Sequence, residues 1–371
     1  AKEKCQYAYW MGQPLTELEA EMATYSQVIK NFKQGIPLMS LQIFHQAVLN
    51  LLVKTENPCQ LVGEAFNESD SLPLLIKSNY RTAIFNFYLN KLILCYLFNE
   101  HGQGLQNAEL AKLYLDGVTG NIVVPVYYFY DSMVRLAVYV DADKSQQDAL
   151  LKQVTENQIK MQQWAHHAPM NFLHKFYLVE AERQRILKEN VEAMENYDRA
   201  ISIAKQNEYI HEEALANELA AKFYQAWGKE KIASVYMNDA RYCYTLWGSQ
   251  AKVQDLSERY PELLVSFRVD AITNSHTITT MISTSSTSSE IIDLGAVMKA
   301  SHAISSEIVL DNLLAKMIKI IMENAGAEKG FILTETAGQW VVEIAGQITL
   351  DKAIVTRSMP VSDRESDAES G

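Results

Sequence analysis

The chain has 371 residues, 48% of them apolar and 21% charged, proportions of a globular protein long enough to bury a core without staples. Its 33 Lys and Arg against 45 Asp and Glu give a formal net charge of −12 and a pI near 5.2. That balance excludes a nucleic-acid binder, because neutralising phosphates takes clustered basic residues and no such run occurs. Length alone leads us to expect about two or three domains.

The chain starts at Ala1 without Met, and Lys2 to Gly12 reads like the end of a helix; a fragment of a longer protein is expected. No signal-peptide core is present. The four cysteines, Cys5, Cys59, Cys95 and Cys243, are scattered with no C-x-x-C pair, which predicts small buried hydrophobes in a reducing cytoplasm. The longest apolar spans, Ile84–Phe98 and Ile122–Val140, are interrupted by Asn86, Asn90, Lys91, Asp131 and Arg135. Neither supplies the ~20 uncharged apolar residues of a membrane helix, so both read as buried helices and no membrane partner is expected.

From residue 1 to about 265 the pattern is helical. Pro14 opens a helix running to about Lys33, broken by Gly35-Ile36-Pro37. Leu38–Lys54 follows, and Asn57-Pro58 and Asn67–Ser71 mark loops. The next helices are Leu74–Asn99, Leu105–Leu115, Val126–Val140 and Gln146–His166, the last stopped by Pro169. Beyond it lie Leu173–Leu187, Val191–Lys205, Glu212–Trp227 and Glu230–Trp247. Val191, Met194, Tyr197, Ile201 and Ala204 share one face of the second of these. Gly228 and Gly248 each follow a Trp, as left-handed C-caps do.

Sliding this stretch by 40 residues lays Ala181 on Ala221 and Ala200 on Ala240, and the Glu189-Asn190 turn near Lys229-Glu230. Small residues recurring where hairpin helices cross suggest a tetratricopeptide-like α-solenoid, whose usual period is about 34 residues; a helical bundle is the other architecture open. Thr273–Ser289 is polar, uncharged and low in complexity, a linker by composition. Asp293 can N-cap a helix to about Ser305, and Leu310–Asn324 forms another. Gly330–Leu333 and Trp340–Ile344 then read as strands joined at Ala337-Gly338, before a polar end.

The strings "NQIKMQQWAHHAPMNFLHKFYLVEAE", "YDRAISIAKQNEYIHEEALANELAAKFYQAWGKEKIA" and "AKVQDLSERYPELL", between Val154 and Leu264, resemble the helical-repeat region of large bacterial multi-sensor kinases. "DLGAVMKASHAISSEIVLDNLLAKMIKIIMENAGAEKGFIL" resembles the junction of that region with a GAF domain. The resemblance implies residues 1–265 as a helical-repeat region, 266–290 as a Ser/Thr-rich linker, and 291–371 as the first part of a GAF-like α+β sensor. It implies a mainly α, non-catalytic regulatory and protein-interaction segment of a cytoplasmic sensor histidine or serine/threonine kinase. Partners would be a protein or peptide on the concave face of the repeats, the neighbouring kinase domains, and a second copy in a homodimer. ATP and Mg would belong to kinase domains outside this chain, which takes no cofactor of its own. The alternative is a free-standing helical-repeat adaptor.

No residue is assigned a catalytic or metal-binding role. His302 and His211 lack the flanking Glu or Asp with a later Pro that marks a phosphoacceptor histidine, and are expected as surface or capping residues. His166, His167 and His174 flank a helix break without the further ligands zinc needs; packing and hydrogen bonding are expected of them. Gly102-Gln103-Gly104 lacks the third glycine and preceding strand of a nucleotide loop. Trp164, Trp227 and Trp247 are read as core rather than as a stacking box, and the Glu212-Glu213 pair as a solvated helix face.

Overall fold

The computed structural model describes residues 2–32 and 35–264, and the backbone of three strands at 329–336, 339–349 and 352–360. The chain divides into two compact units, residues 1–272 and 273–371. The Thr273–Ser289 linker and the helices expected at Asp293–Ser305 and Leu310–Asn324 lie outside the described residues, as does His302.

In the first unit fourteen α-helices are described: α1 (Lys2–Trp10), α2 (Leu15–Asn31), α3 (Gly35–Leu52), α4 (Glu68–Lys77), α5 (Arg81–Leu97), α6 (His101–Lys112), α7 (Val123–Val138), α8 (Lys144–His167), α9 (Pro169–Leu187), α10 (Asn190–Gln206), α11 (Ile210–Ala226), α12 (Glu230–Trp247), α13 (Gln250–Arg259) and α14 (Pro261–Leu264). The single long helix expected at Leu74–Asn99 is two. Asn67 accepts from the Ser69 N–H and caps α4, so Asn67–Ser71 is a helix start and not only a loop. The chain then turns at Asn79, whose φ is +50°, a conformation that Asn tolerates better than most residues. Asp143 and Gln146 form a reciprocal capping box on α8.

The 40-residue recurrence has a physical basis at the helix ends. Lys188, Glu208, Gly228 and Gly248 are all left-handed, each 20 positions after the last. At each, the following N–H bonds back to the carbonyl five residues earlier, as in Glu189 to Gln184, Tyr209 to Ala204, Lys229 to Tyr224 and Ser249 to Tyr244. These are Schellman closures. A helix of fixed length and the same cap, repeated, returns the chain every 20 residues, and two such helices make one hairpin. Ala181, Ala200, Ala221 and Ala240 are all buried, letting the paired helices approach closely. Val191, expected on the inner face of α10, is exposed, whereas Tyr197 and Ala204 on that face are buried.

The odd-numbered helices from α3 pack side by side: α3 on α5, α5 on α7, α7 on α9. Side chains continue the series, with Lys175 of α9 bonded to Glu212 of α11, and Lys252 of α13 bonded to Glu218 of α11. Then α13 packs on α3. The Ser249 hydroxyl donates to the Leu51 carbonyl at 3.2 Å, and Lys54 pairs with Glu258 at 2.6 Å. The helices therefore close on themselves, and α11 is interior, with 13 of its 17 residues buried. One continuous core runs from Cys5 to Leu264.

In the second unit β1 (Lys329–Thr336), β2 (Gln339–Thr349) and β3 (Lys352–Pro360) form an antiparallel sheet in the order β1-β2-β3. Glu335 pairs with Trp340, and Thr349 with Lys352, with a register shift at Ile332/Leu333. The first two strands fall where the sequence places them; β3 was not anticipated.

Candidate functional site

Helix α11 carries the polar groups that organise the interior. Glu212 and Glu213 are both buried, which corrects their reading as a solvated face: α11 has neighbours on every side, so its carboxylates need internal partners. Glu212 accepts from the Lys175 ammonium at 2.7 Å and contacts the His174 imidazole. Lys175 also donates to the Asn171 carbonyl and lies over the Tyr209 ring. Burial works against ionisation of Glu212, but Lys175 and His174 overcome it and hold the carboxyl well below its ordinary range. Burial lowers Lys175 and His174 in turn.

His211, expected at the surface, is buried against Trp247, with ring centroids 5.3 Å apart. Burial lowers its pKa to about 4, so it is neutral at pH 7 and enclosed, unlike a phosphoacceptor. His174 is buried, while His166 and His167 are exposed beside one another; the three do not converge. Among the described residues no group of three His, Cys, Asp or Glu could hold a metal ion. Gly102 and Gly104 belong to α6 rather than to a phosphate loop, and Gly104 makes room for Val134 of α7. Trp164 packs on Tyr128 and Phe172, Trp247 is buried near Tyr9, and Trp227 is 38% exposed. The tryptophans form no box, and Trp227 departs from its expected place in the core. All four cysteines are buried, and folding brings Cys59 and Cys95 close enough for each thiol to influence the other's ionisation, which their separation in sequence does not reveal.

A second polar network lies toward the C-terminal end of α11. Glu218 accepts from Lys252 at 3.0 Å and the Tyr244 hydroxyl at 3.0 Å, and pairs with Lys222 at 2.7 Å. Burial alone would push its carboxyl up, yet Lys222 and Lys252 hold it down at about 2. Opposite stands buried Glu182, which accepts from Arg185 through Nε and Nη2 and from the Tyr197 hydroxyl. Between them opens a cleft of about 490 Å³, walled by the α5–α6 turn and the C-terminal ends of α9 and α11. Asn99, His101, Lys188, Trp227 and Tyr260 complete its wall. Sequence reasoning missed this site because its charged residues come from two helices, α9 and α11, some 30 positions apart, and fall in no motif. The only local sign was Trp227 beside the Gly228 cap.

No protein-family model matches the chain, and no solved structure matches it. Among curated proteins, hybrid signal transduction histidine kinase G of Dictyostelium discoideum is 38% identical over 63 residues, covering 17% of this chain and 2% of that protein. The similarity is local, and the chain spans only a small fraction of that protein's length. No helix among the described residues is long and apolar enough to cross a membrane.

Proposed function

We propose that the chain is a regulatory and protein-interaction segment of a sensor kinase, in which a tetratricopeptide-like helical scaffold precedes a GAF-like sensor. The observation that carries this reading is the local similarity to a hybrid signal transduction histidine kinase. The repeated hairpin geometry of α9 to α12 supports the scaffold role, since such arrays bind through surfaces built from successive hairpins. The antiparallel sheet of the second unit supports an α+β sensor. Because α11 is enclosed, a protein partner takes the outer layer, where Ile232 and Val235 of α12 are exposed. ATP and Mg chemistry belongs, in this reading, to other domains of the polypeptide.

The test isolates the native polypeptide from its cells with an antibody raised against residues 1–264. Incubated with ATP, it should acquire phosphate stable to base and labile to acid, as phosphohistidine is. A polypeptide of the same length as this chain that takes up no phosphate refutes the kinase reading and leaves the adaptor.

A further inference from the structure

The cleft beside Glu182 and Glu218 has features of a small-molecule site that packing alone does not explain. Its volume of about 490 Å³ lies in the range of pockets that enclose one small ligand. Its charges are unequal. Three cations line it, Arg185, Lys188 and Lys222, against two carboxylates, Glu182 and Glu218. Both carboxylates are already engaged, Glu182 by Arg185 and Tyr197, Glu218 by Lys222, Lys252 and Tyr244. Lys252, behind the wall, is balanced further by Asp255. The exposed ammonium of Lys188 pairs with no carboxylate among the described residues. The lining thus carries one unit of positive charge in excess.

Donors remain on this wall. Arg185 uses Nε and Nη2 on Glu182, leaving Nη1 without an acceptor among the described residues. Asn99 turns its Oδ1 to Lys222 at 3.1 Å, and its buried Nδ2 has no partner among the described residues. A buried amide N–H of this kind carries a cost that a ligand oxygen would relieve. The apolar share of the wall combines aliphatic side chains, among them Leu97, Leu215 and Leu219, with the aromatic rings of Tyr96, Phe223, Trp227 and Tyr260. Trp227 is exposed at the rim and stacked on Tyr224, and Tyr260 lies beneath the Lys222 ammonium.

We propose that this cleft binds one planar aromatic monocarboxylate, its ring against Trp227 and Tyr260 and its carboxylate among Lys188, Lys222 and Arg185. The single excess positive charge sets the ligand at one negative charge, and the cleft's volume of about 490 Å³ matches a small molecule. The inference does not rest on the kinase reading; it makes the helical unit itself a receptor.

The probe is naphthalene-1-carboxylate, titrated into the full chain by isothermal calorimetry, with naphthalene-1-carboxamide as its neutral counterpart. Saturable one-to-one binding of the carboxylate, with the amide about tenfold weaker or worse, is expected for a ligand held by charge. Lys188→Asn removes the unpaired ammonium at an exposed position and keeps a residue that accepts the left-handed backbone; it should weaken the carboxylate by about tenfold and leave the amide unchanged. Trp227→Ala, also at an exposed position, should weaken both. Equal affinity for carboxylate and amide overturns the proposal, as does carboxylate binding indifferent to Lys188→Asn. Absence of saturable binding at about 1 mM overturns it too. Saturable binding of a peptide through its C-terminal carboxylate, with no binding of the naphthalene acid, overturns it in favour of a polypeptide ligand.

Discussion

Replacing Lys252 by Met tests whether the closure of the helical array depends on buried charge. The ammonium is fully buried and donates to three elements, the Leu97 carbonyl at the end of α5 (2.6 Å), Glu218 of α11 (3.0 Å) and Asp255 of α13 (3.1 Å). Methionine fills most of the same volume but makes none of these bonds. It strands the Leu97 carbonyl, leaves Asp255 with Arg259, and leaves Glu218 with Lys222 and Tyr244. Removing one partner of a buried ion pair costs about 3–5 kcal/mol. Because Glu218 keeps one cation, the low end applies, about 3 kcal/mol. Urea unfolding at pH 7, followed by far-ultraviolet circular dichroism that reports the helices, should show the unfolding free energy fall by that amount, as a lower midpoint with an unchanged slope. The Glu218 carboxyl, now held at about 2 against an ordinary 4.5, should rise as well. Its stabilisation is present above the ordinary value and is lost as pH falls through the folded one, so acid unfolding of the variant should begin at higher pH. A loss below about 1 kcal/mol, with acid unfolding unmoved, would show that Lys252 is a solvated contact and that packing alone joins α13 to α5 and α11.

Two further outcomes follow from the same geometry. His101 and His211 are each held at about 4 by burial, against an ordinary 6.5; the unfolded chain takes up their protons first as pH falls. Stability is therefore whole above 6.5 and declines toward 4, by about 2 kcal/mol per histidine at pH 5, and His211→Gln should flatten the urea-midpoint profile between pH 7 and 5. Gly228 and Gly248 adopt φ values of +74° and +92°, so alanine at either should cost about 1 kcal/mol in the same assay, whereas Lys188→Gly, at φ +65°, should gain a similar amount.

The helices were legible because their signals are local. Pro169 at the start of α9 and the Gly228 and Gly248 caps set ends that the structure reproduces within a few residues. The 40-residue offset was legible in four alanines. It was blurred because the same left-handed turn is made by Lys188 and Glu208 in the first hairpin and by glycines in the second. What periodicity could not carry was closure. Nothing in Leu51 and Ser249, or in Met11 and Tyr209, marks them as neighbours, yet each pair is joined by a hydrogen bond across 198 positions. Closure decides burial, and burial decides the meaning of a charge. Glu212, Glu213 and Glu218 would face solvent on the outer layer; on α11 all three are buried, Glu212 and Glu218 anchor networks, and Glu218 lines a cleft. The tests of site chemistry that sequence applied, such as phosphoacceptor flanks, metal-ligand spacing and nucleotide-loop glycines, were not built to find a site assembled from three helix ends.

The placement of the ion pairs carries one more consequence. Consecutive helices here meet through broad apolar contact, and α3, α5, α7 and α9 pack directly on one another. Buried ion pairs bridge the series where it continues through side chains, Lys175 to Glu212 between α9 and α11, and Lys252 to Glu218 between α11 and α13, while a further buried pair, Arg135 with Asp131, lies within α7. Two charges taken out of water recover little net free energy even when well paired, but a buried pair tolerates few misalignments. The hypothesis is that these pairs fix which turn of α11 faces which turn of its neighbours. Replacing both Lys175→Met and Glu212→Leu should then leave stability within about 1 kcal/mol of the parent or above it. It should also broaden the amide and side-chain NMR signals of α9 and α11, as alternative registers exchange. Sharp, singly populated spectra in the apolar double variant would sink the hypothesis, and would assign the register to the close-packed aromatic contacts around Tyr209 and Trp247 instead.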